Sequence, residues 1–400
     1  MSWPLAPISE FCTTSSGGTP SRKKAEYYGG DIPWVKSGDL REKEVVKVTE
    51  YITDLGVEKS SAKIVKKGAI LLAMYGATVG RMAMLGIDAS TNQAVCSIRP
   101  DDSKAFPKYV YYALREKVPE FLKSAVGGAQ PNISQGMIKD TRVLLPSLEE
   151  QKRIAAILDK ADAIRRKRQQ SIELADQLLR SVFLDMFGDP VTNPKGWVEE
   201  TLVNLVSSKL QNGAYYPQEQ YSDEGTEMVH MGDAFYDVIK RGELKRVLVS
   251  DSDLEKYKLT SDDLMISRRS LTYEGAAKPS LIPPSSEPLI FESSMIRLTP
   301  DNGKVLTHYL FYYLSYPSIK THFVRKYVTG ATIKGISQKN LENIRILVPP
   351  LDMQKKFVDR VVKIGEKVEK LKHDANVLDM FFSSLIQQAF NGKLIQSKAA

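Results

Sequence analysis

Four glycine-bearing loops gather the side chains best suited to chemistry in this 400-residue sequence. In the first half, YGATVGR and VGGAQPNIS hold Tyr75, Arg81, Gln130, Asn132 and Ser134. In the second half, SRRSLTYEG and VTGATIKGIS hold Arg268, Arg269, Ser270 and Lys334, and Tyr215 and Tyr216 lie upstream of them. These side chains donate and accept hydrogen bonds without pairing a nucleophile with a base. Arginine or lysine can pair with guanine, and asparagine or glutamine with adenine, on the edges exposed in a major groove. Arg22, Lys23 and Lys36 look more like phosphate contacts. Taken singly, each is more often an ordinary turn or surface residue, so the weight rests on the set.

Bond-making chemistry is missing from the same sequence. An adenine-modifying enzyme would carry an Asp/Asn-Pro-Pro-aromatic motif, whereas Pro349-Pro350 lies between Val348 and Leu351, and Pro283-Pro284 precedes Ser285. The carboxylates of Asp101 and Asp102 are crowded into one turn and lack the separation a nuclease metal site needs. No GxxxxGK[ST] phosphate loop occurs, and GATVGR has neither its spacing nor its lysine. His230, His308, His322 and His373 are scattered and Cys12 and Cys96 are remote, so no zinc spacing arises. These absences predict a non-catalytic chain with no metal or cofactor of its own.

The elements that must position these loops come twice. Trp3 is answered by Trp197 and Gly38-Asp39 by Gly232-Asp233, both 194 residues on. Tyr109 is answered by Tyr309 after 200 residues and Gln151 by Gln354 after 203. A period this long means two whole domains rather than a solenoid. Each half reads as a small mixed domain of short strands and turns. In the first, a strand is expected around Ile32 to Val35, an apolar run KKGAILLAMYGATVGRMAML is broken at Gly76 and Gly80, a helix spans Lys108 to Ala125, and TRVLLP closes as a strand. The two sets of loops differ in side chains, which suits two readers of two different short sequences. Duplex DNA is the commonest extended ligand that offers two such sites at a fixed distance.

After each half the sequence turns helical for about 40 residues, free of proline. In the first helix Ile154, Leu158, Ile172 and Leu179 fall on one heptad stripe, interrupted by Arg165 and Arg168. In the second, Phe357, Val361, Ile364, Leu371, Leu378 and Leu385 continue a cleaner stripe in the same register. Such stripes need cover, and the matching seam of the other helix is the cheapest cover, which predicts an intramolecular antiparallel coiled coil. A helix of this length runs roughly 60 Å, against about 34 to 36 Å for a turn of B-DNA. The expected organisation is therefore α+β and pseudo-two-fold symmetric, with two similar mixed α/β domains separated and joined by two long helices. Its boundaries fall at 1–147 for the first domain, 148–188 for the first helix, 189–350 for the second domain, 351–392 for the second helix and 393–400 for a tail.

Composition narrows the setting. Lys and Arg number 56 against 48 Asp and Glu, a net charge of +8 that suits a polyanionic partner. Two cysteines give no disulfide framework and fit a reducing cytoplasm. The start MSWPLAPISEF does not read as a signal peptide, and the longest apolar run, AILLAMYGATVG, is too short for a bilayer, so no membrane role is expected.

With GGDIPWVKSGDL, the KGAILLAMYGATVGR run followed by STNQAV, and the joint LLPSLEEQKRIAAILDKAD repeated as LVPPLDMQKKFVDRVVKI, the sequence resembles the specificity subunit of type I restriction-modification systems over nearly its whole length. The resemblance implies that each half is a target recognition domain reading one half of a bipartite asymmetric site in double-stranded DNA. The helices then set the spacer and dock two modification (methyltransferase) subunits through 148–187 and 351–390. It also implies restriction (translocase-nuclease) subunits as further partners. S-adenosylmethionine, ATP and Mg belong to those partners. SRRSLTYEG departs from the first half's glycine loop, so DNA contacts do not transfer between the halves by position. Two other classes remain at the level of sequence: a protein-interaction scaffold whose charge is incidental, and a self-contained modification enzyme, which the missing motifs disfavour.

Overall fold

The computed structural model describes residues 3–41, 43–124 and 132–394. The chain divides into two units, Met1–Gln170 with Lys372–Ala400 and Ser171–Leu371. Four helices organise them: α1 (Pro107–Ser124), α2 (Leu148–Phe187), α3 (Thr307–Ser315) and α4 (Leu351–Phe390). Each unit takes part of α2 and part of α4. The compact units therefore do not follow the linear order expected from the sequence, because the buried stripe of each helix segment joins the core of a globular part.

In the first unit a five-stranded sheet runs in the order Cys12–Ser16, Val95–Pro100, Ile70–Ala73, Met82–Leu85, Glu44–Val45. The apolar run becomes a hairpin, Ile70–Ala73 paired antiparallel with Met82–Leu85, and Ile70 to Ala73 are all fully buried. Gly76 and Gly80 turn it with φ of 82° and 81°, the left-handed region that costs glycine least. A four-stranded sheet of Tyr51–Ile52, Tyr28–Val35, Ala89–Thr91 and Ile64–Val65 flanks it. Arg142–Leu144 pairs with Leu5–Pro7 and leads into α2.

The second unit repeats the plan with losses. Its main sheet has four strands, Gln211–Asn212, Met295–Leu298, Leu264–Ser267 and Pro279–Leu281, and the fifth is reduced to a single parallel bridge between Val238 and Leu281. A three-stranded sheet of Arg246–Val247, Tyr221–Val229 and Leu289–Phe291 flanks it, and Val198–Thr201 pairs with Arg345–Val348. The parallel pairing of Trp34 with Ser90 recurs as Met228 with Ile290. α3 is half the length of α1, since the chain reaches Pro317 and restarts in separate helical turns through Tyr327.

Both long helices have 40 residues and end at Phe187 and Phe390, short of the expected 188 and 392. Gly188 and Gly392 have φ of 78° and 70° and cannot continue the turn. Along the heptad stripes Ile154, Leu158, Ile172, Phe357 and Val361 are buried, while Leu179, Ile364, Leu371, Leu378 and Leu385 are half-buried. Within the first unit the helices run antiparallel, with Arg165 pairing Asp379 at 3.2 Å and Arg168 pairing Asp374 at 3.7 Å. The arginines that interrupt the stripe are thus partnered across the seam, and Arg165 also lies over the Phe382 ring, 5.5 Å from its centroid. In the second unit Phe183 and Phe187 meet Phe357 at 5.7 and 5.1 Å between ring centroids.

Candidate nucleic-acid interfaces

In the first unit the hairpin loop after Ala73 is locked by its own backbone. Gly80 donates to Ala73 O at 2.8 Å, and Ala73 N donates to Arg81 O at 2.8 Å. The Ile133 amide then donates to Met74 O at 2.7 Å, which draws the segment carrying Asn132 and Ser134 against Tyr75 and Arg81. Arg81 and Asn132 are exposed and Tyr75 is half-buried. Ser134 is the N-cap of the short helix Gln135–Asp140, its hydroxyl accepting from Met137 N at 3.1 Å. Gln130 lies outside the described residues.

The second unit makes the same joint with different side chains. Ile336 N donates to Arg268 O at 3.0 Å, and Ala277 N donates to Ser267 O at 2.8 Å. The loop is longer here, and the position answering Gly80 is Ala277, held at φ 57° in the left-handed region. A short ladder pairs Arg269 with Gly335 and Ser270 with Lys334, so the two candidate loops of this unit are physically one surface. Arg269 is exposed and Lys334 half-buried.

Three of the second-unit candidates are turned inward. Tyr216 is 8% exposed, its hydroxyl donates to Asp253 at 3.1 Å, and burial followed by the Asp253 carboxylate pushes its phenol well up. Ser270 is 7% exposed and accepts from Thr272 N at 3.2 Å, which makes it a loop brace. Arg268 is half-buried and donates to Ser293 O at 3.3 Å. The polar atoms of Tyr216 and Ser270 already have partners inside the fold. Tyr215, by contrast, is 81% exposed.

Arg22 and Lys36 are brought together by Glu50, a residue that no motif marks. Arg22 forms a close ion pair with it, and Lys36 Nζ lies 3.1 Å from its second oxygen. The Arg22 hydrogen bond is the main force holding the Glu50 carboxyl below its ordinary range, ahead of the opposing effect of burial. Arg22 also lies over the Tyr28 and Trp34 rings at 4.4 and 5.1 Å. A phosphate reaching this corner meets a pre-oriented guanidinium that shares its charge with a carboxylate; Lys23 beside it is exposed.

Two further residues join the second-unit surface unannounced by sequence. The Tyr273 ring has Arg325 at 5.0 Å and Lys334 at 4.8 Å from its centroid, although Arg325 is 52 positions away along the chain. Only the fold brings them together.

Of the two crowded carboxylates, Asp101 braces a turn. Asp101 Oδ1 accepts from Ser103 N at 3.0 Å, and Asp301 Oδ1 accepts from Gly303 N at 3.0 Å in the copy. Among the described residues no group of three His, Cys, Asp or Glu side chains is placed to hold a metal ion. Cys12 and Cys96 are free and buried, and burial pushes each thiol up to about 12. Among the described residues no helix is long and apolar enough to cross a membrane.

A duplicated mixed domain, each copy followed by a 40-residue helix and each presenting a braced pair of loops, defines a class that known proteins share. The family described as type I restriction modification DNA specificity domain matches residues 2–174 and again 194–378, and the chain belongs to it. Relatives run the length of the sequence. The type I restriction enzyme MjaIX specificity subunit of Methanocaldococcus jannaschii is 27% identical over 424 residues, covering 98% of this chain and 93% of the relative. The EcoKI specificity subunit of Escherichia coli K12 is 22% identical over 419 residues, covering 98% and 89%. The S subunit of a type I restriction-modification system from M. genitalium shares the fold at a TM-score of 0.57 and 17% identity, covering 97% of this chain and 96% of that one. A chain from a structure of type I system assembly and conformational transition matches at 0.52 and 18%, covering 98% of each.

Proposed function

We propose that this chain is the DNA-specificity subunit of a type I restriction-modification complex, in which each unit reads one half of a bipartite, asymmetric site. One observation carries the reading furthest: the joint between Met74 and Ile133 recurs between Arg268 and Ile336 with the same geometry and different side chains around it. A frame kept constant under variable loops is what two sequence readers of one design require. Base contacts are assigned to Tyr75, Arg81, Asn132, Tyr215, Arg269 and Lys334, and phosphate contacts to Arg22, Lys23 and Lys36. Membership of the specificity-domain family supports the reading independently.

The chain itself breaks no bond in this scheme. Two modification subunits carrying S-adenosylmethionine methylate adenine, and restriction subunits using ATP and Mg translocate and cleave, all in the cytoplasm. α2 and α4, paired as an antiparallel coiled coil, set the spacer and dock the modification subunits. Leu174 and Leu178 on α2 are 55% and 49% exposed, and Val377 and Phe381, each 203 positions on, are 46% and 55% exposed on α4. An apolar pair left open at the same place in both copies suits two identical partners.

The test is a genome-wide map of methylated adenines with and without the gene. One asymmetric bipartite motif is expected to vanish on deletion. A map that does not change, together with binding by the purified chain that is flat between 50 and 200 mM salt, would overturn the proposal in favour of a protein scaffold.

A further inference from the structure

The loop Arg268 to Ala277 carries its most exposed large apolar side chain at the tip: Leu271 is 72% exposed. The strand ladder sets it beside the segment 329–335, where Ile333 is 52% exposed. Loops normally fill such tips with polar residues, and an isolated exposed leucine needs no account by itself. Here there are two, on adjacent loops of the surface that carries Arg269, Lys334, Arg325 and Tyr273. The tip is also firmly held. Thr272 N donates to Ser270 Oγ at 3.2 Å, Gly275 N donates to Thr272 Oγ1 at 3.2 Å, and Lys320 Nζ grips Glu274 O. The answering loop of the first unit is shorter and has Ala77 and Thr78 at its tip.

We infer that Leu271, backed by Ile333, is a wedge that enters the base stack of the half-site read by the second unit, while the first unit reads its half-site without one. The inference rests on the DNA-reading role proposed above and adds a mechanism to it. An apolar side chain driven between base pairs unstacks them at a cost, and the wedge must be flanked by contacts that hold the backbone in place. Arg325, exposed and held 5.0 Å from the Tyr273 ring, meets that need through phosphate attraction, while Arg269 and Lys334 engage base edges beside the tip. Pyrimidine–purine steps unstack most easily, so the wedge also favours such a step at its point of entry without touching a base edge.

The experiment uses the complex of this chain with its modification subunits on the motif found by methylation mapping. 2-Aminopurine is placed in turn at positions across both half-sites other than the methylated adenines, and binding is followed in parallel by anisotropy at saturating protein. A several-fold rise in fluorescence is expected at one step of one half-site only. It should fall to the free-duplex level in Leu271→Ala and be retained in Leu271→Met. Saturated DNA with no local rise, or a rise unchanged in both Leu271→Ala and the Leu271→Ala/Ile333→Ala double variant, overturns the wedge and leaves the DNA-reading role standing. Absence of DNA binding by the unsubstituted complex overturns that role and the wedge with it.

Discussion

Gln151 Oε1 accepts a hydrogen bond from the Phe106 amide at 2.8 Å, and its Nε2 donates to the carbonyl oxygens of Lys104 and Pro146 at 3.0 and 2.9 Å. Gln354 repeats the arrangement on Leu306, Lys304 and Pro349 at 2.9, 3.1 and 2.8 Å, and both side chains are fully buried. Each glutamine ties the approach to the domain helix to the first turn of the long helix, fixing the direction in which that helix leaves its domain. A Gln151→Leu substitution removes the partner of the half-buried Phe106 N–H, of the buried Pro146 carbonyl and of the Lys104 carbonyl. A loss of about 2 to 3 kcal/mol is expected, read from the urea midpoint at constant m-value. A loss under about 0.5 kcal/mol would contradict the clamp.

Asp159 on α2 receives hydrogen bonds from Lys43, Lys108 and Tyr112, so the first unit's sheet and α1 are both fastened to that helix. Burial pushes its carboxyl up, but the combined bonds from Lys108, Lys43 and Tyr112 outweigh it and hold the folded value below the ordinary 3.8. A depressed folded value stabilises the fold above the unfolded pKa, and that contribution disappears as pH falls through the folded one. Acid titration of stability should therefore steepen below about pH 4, and Asp159→Asn should flatten that slope while lowering stability at neutral pH.

Arg269 and Arg81 are assigned to base edges in opposite half-sites. Arg269→Ala is expected to cost about 1 to 3 kcal/mol of site affinity and to relax the motif at one position of one half-site. Arg81→Ala should relax the other half only. Lys23→Ala, at a phosphate position, should weaken all sequences alike and reduce the salt slope by about one. Methylation motifs from each variant check the first two, and binding across a salt series checks the third.

Adding one heptad to α2 and one to α4 at matched seam positions lengthens the pair by about 10 Å. The spacer between half-sites should widen by about three base pairs with both half-sites unchanged. An unaltered spacer in the methylation motif would end the ruler reading.

Leu178→Glu and Phe381→Glu each place a charge on one of the two exposed apolar pairs. Each is expected to lower the stoichiometry of bound modification subunits from two to one, and the double variant to lower it to none, as read by mass photometry of the purified complex. Retention of two subunits by the double variant places the docking surface elsewhere.

Much of the molecule was legible because duplication and periodicity are written in residue order. The offset of Trp3 to Trp197 announced two domains, and the heptads from Ile154 and Phe357 announced two long helices whose seam positions are all buried or half-buried. A stripe of apolar residues at helical spacing has few other physical outcomes. Loop surfaces obey no such rule. Arg269 and Lys334 share a surface, and Arg325 joins them at Tyr273, through backbone pairing between segments far apart in sequence. Tyr215 and Tyr216 are indistinguishable as letters, yet one is exposed and the other is buried against Asp253. The sequence by itself determined the repeat, the helices and the lack of catalytic motifs, all carried by local pattern. Which side chains face outward and which are consumed in bracing the loops was decided only by the tertiary structure, because a polar side chain is held inside only where the fold brings it a partner.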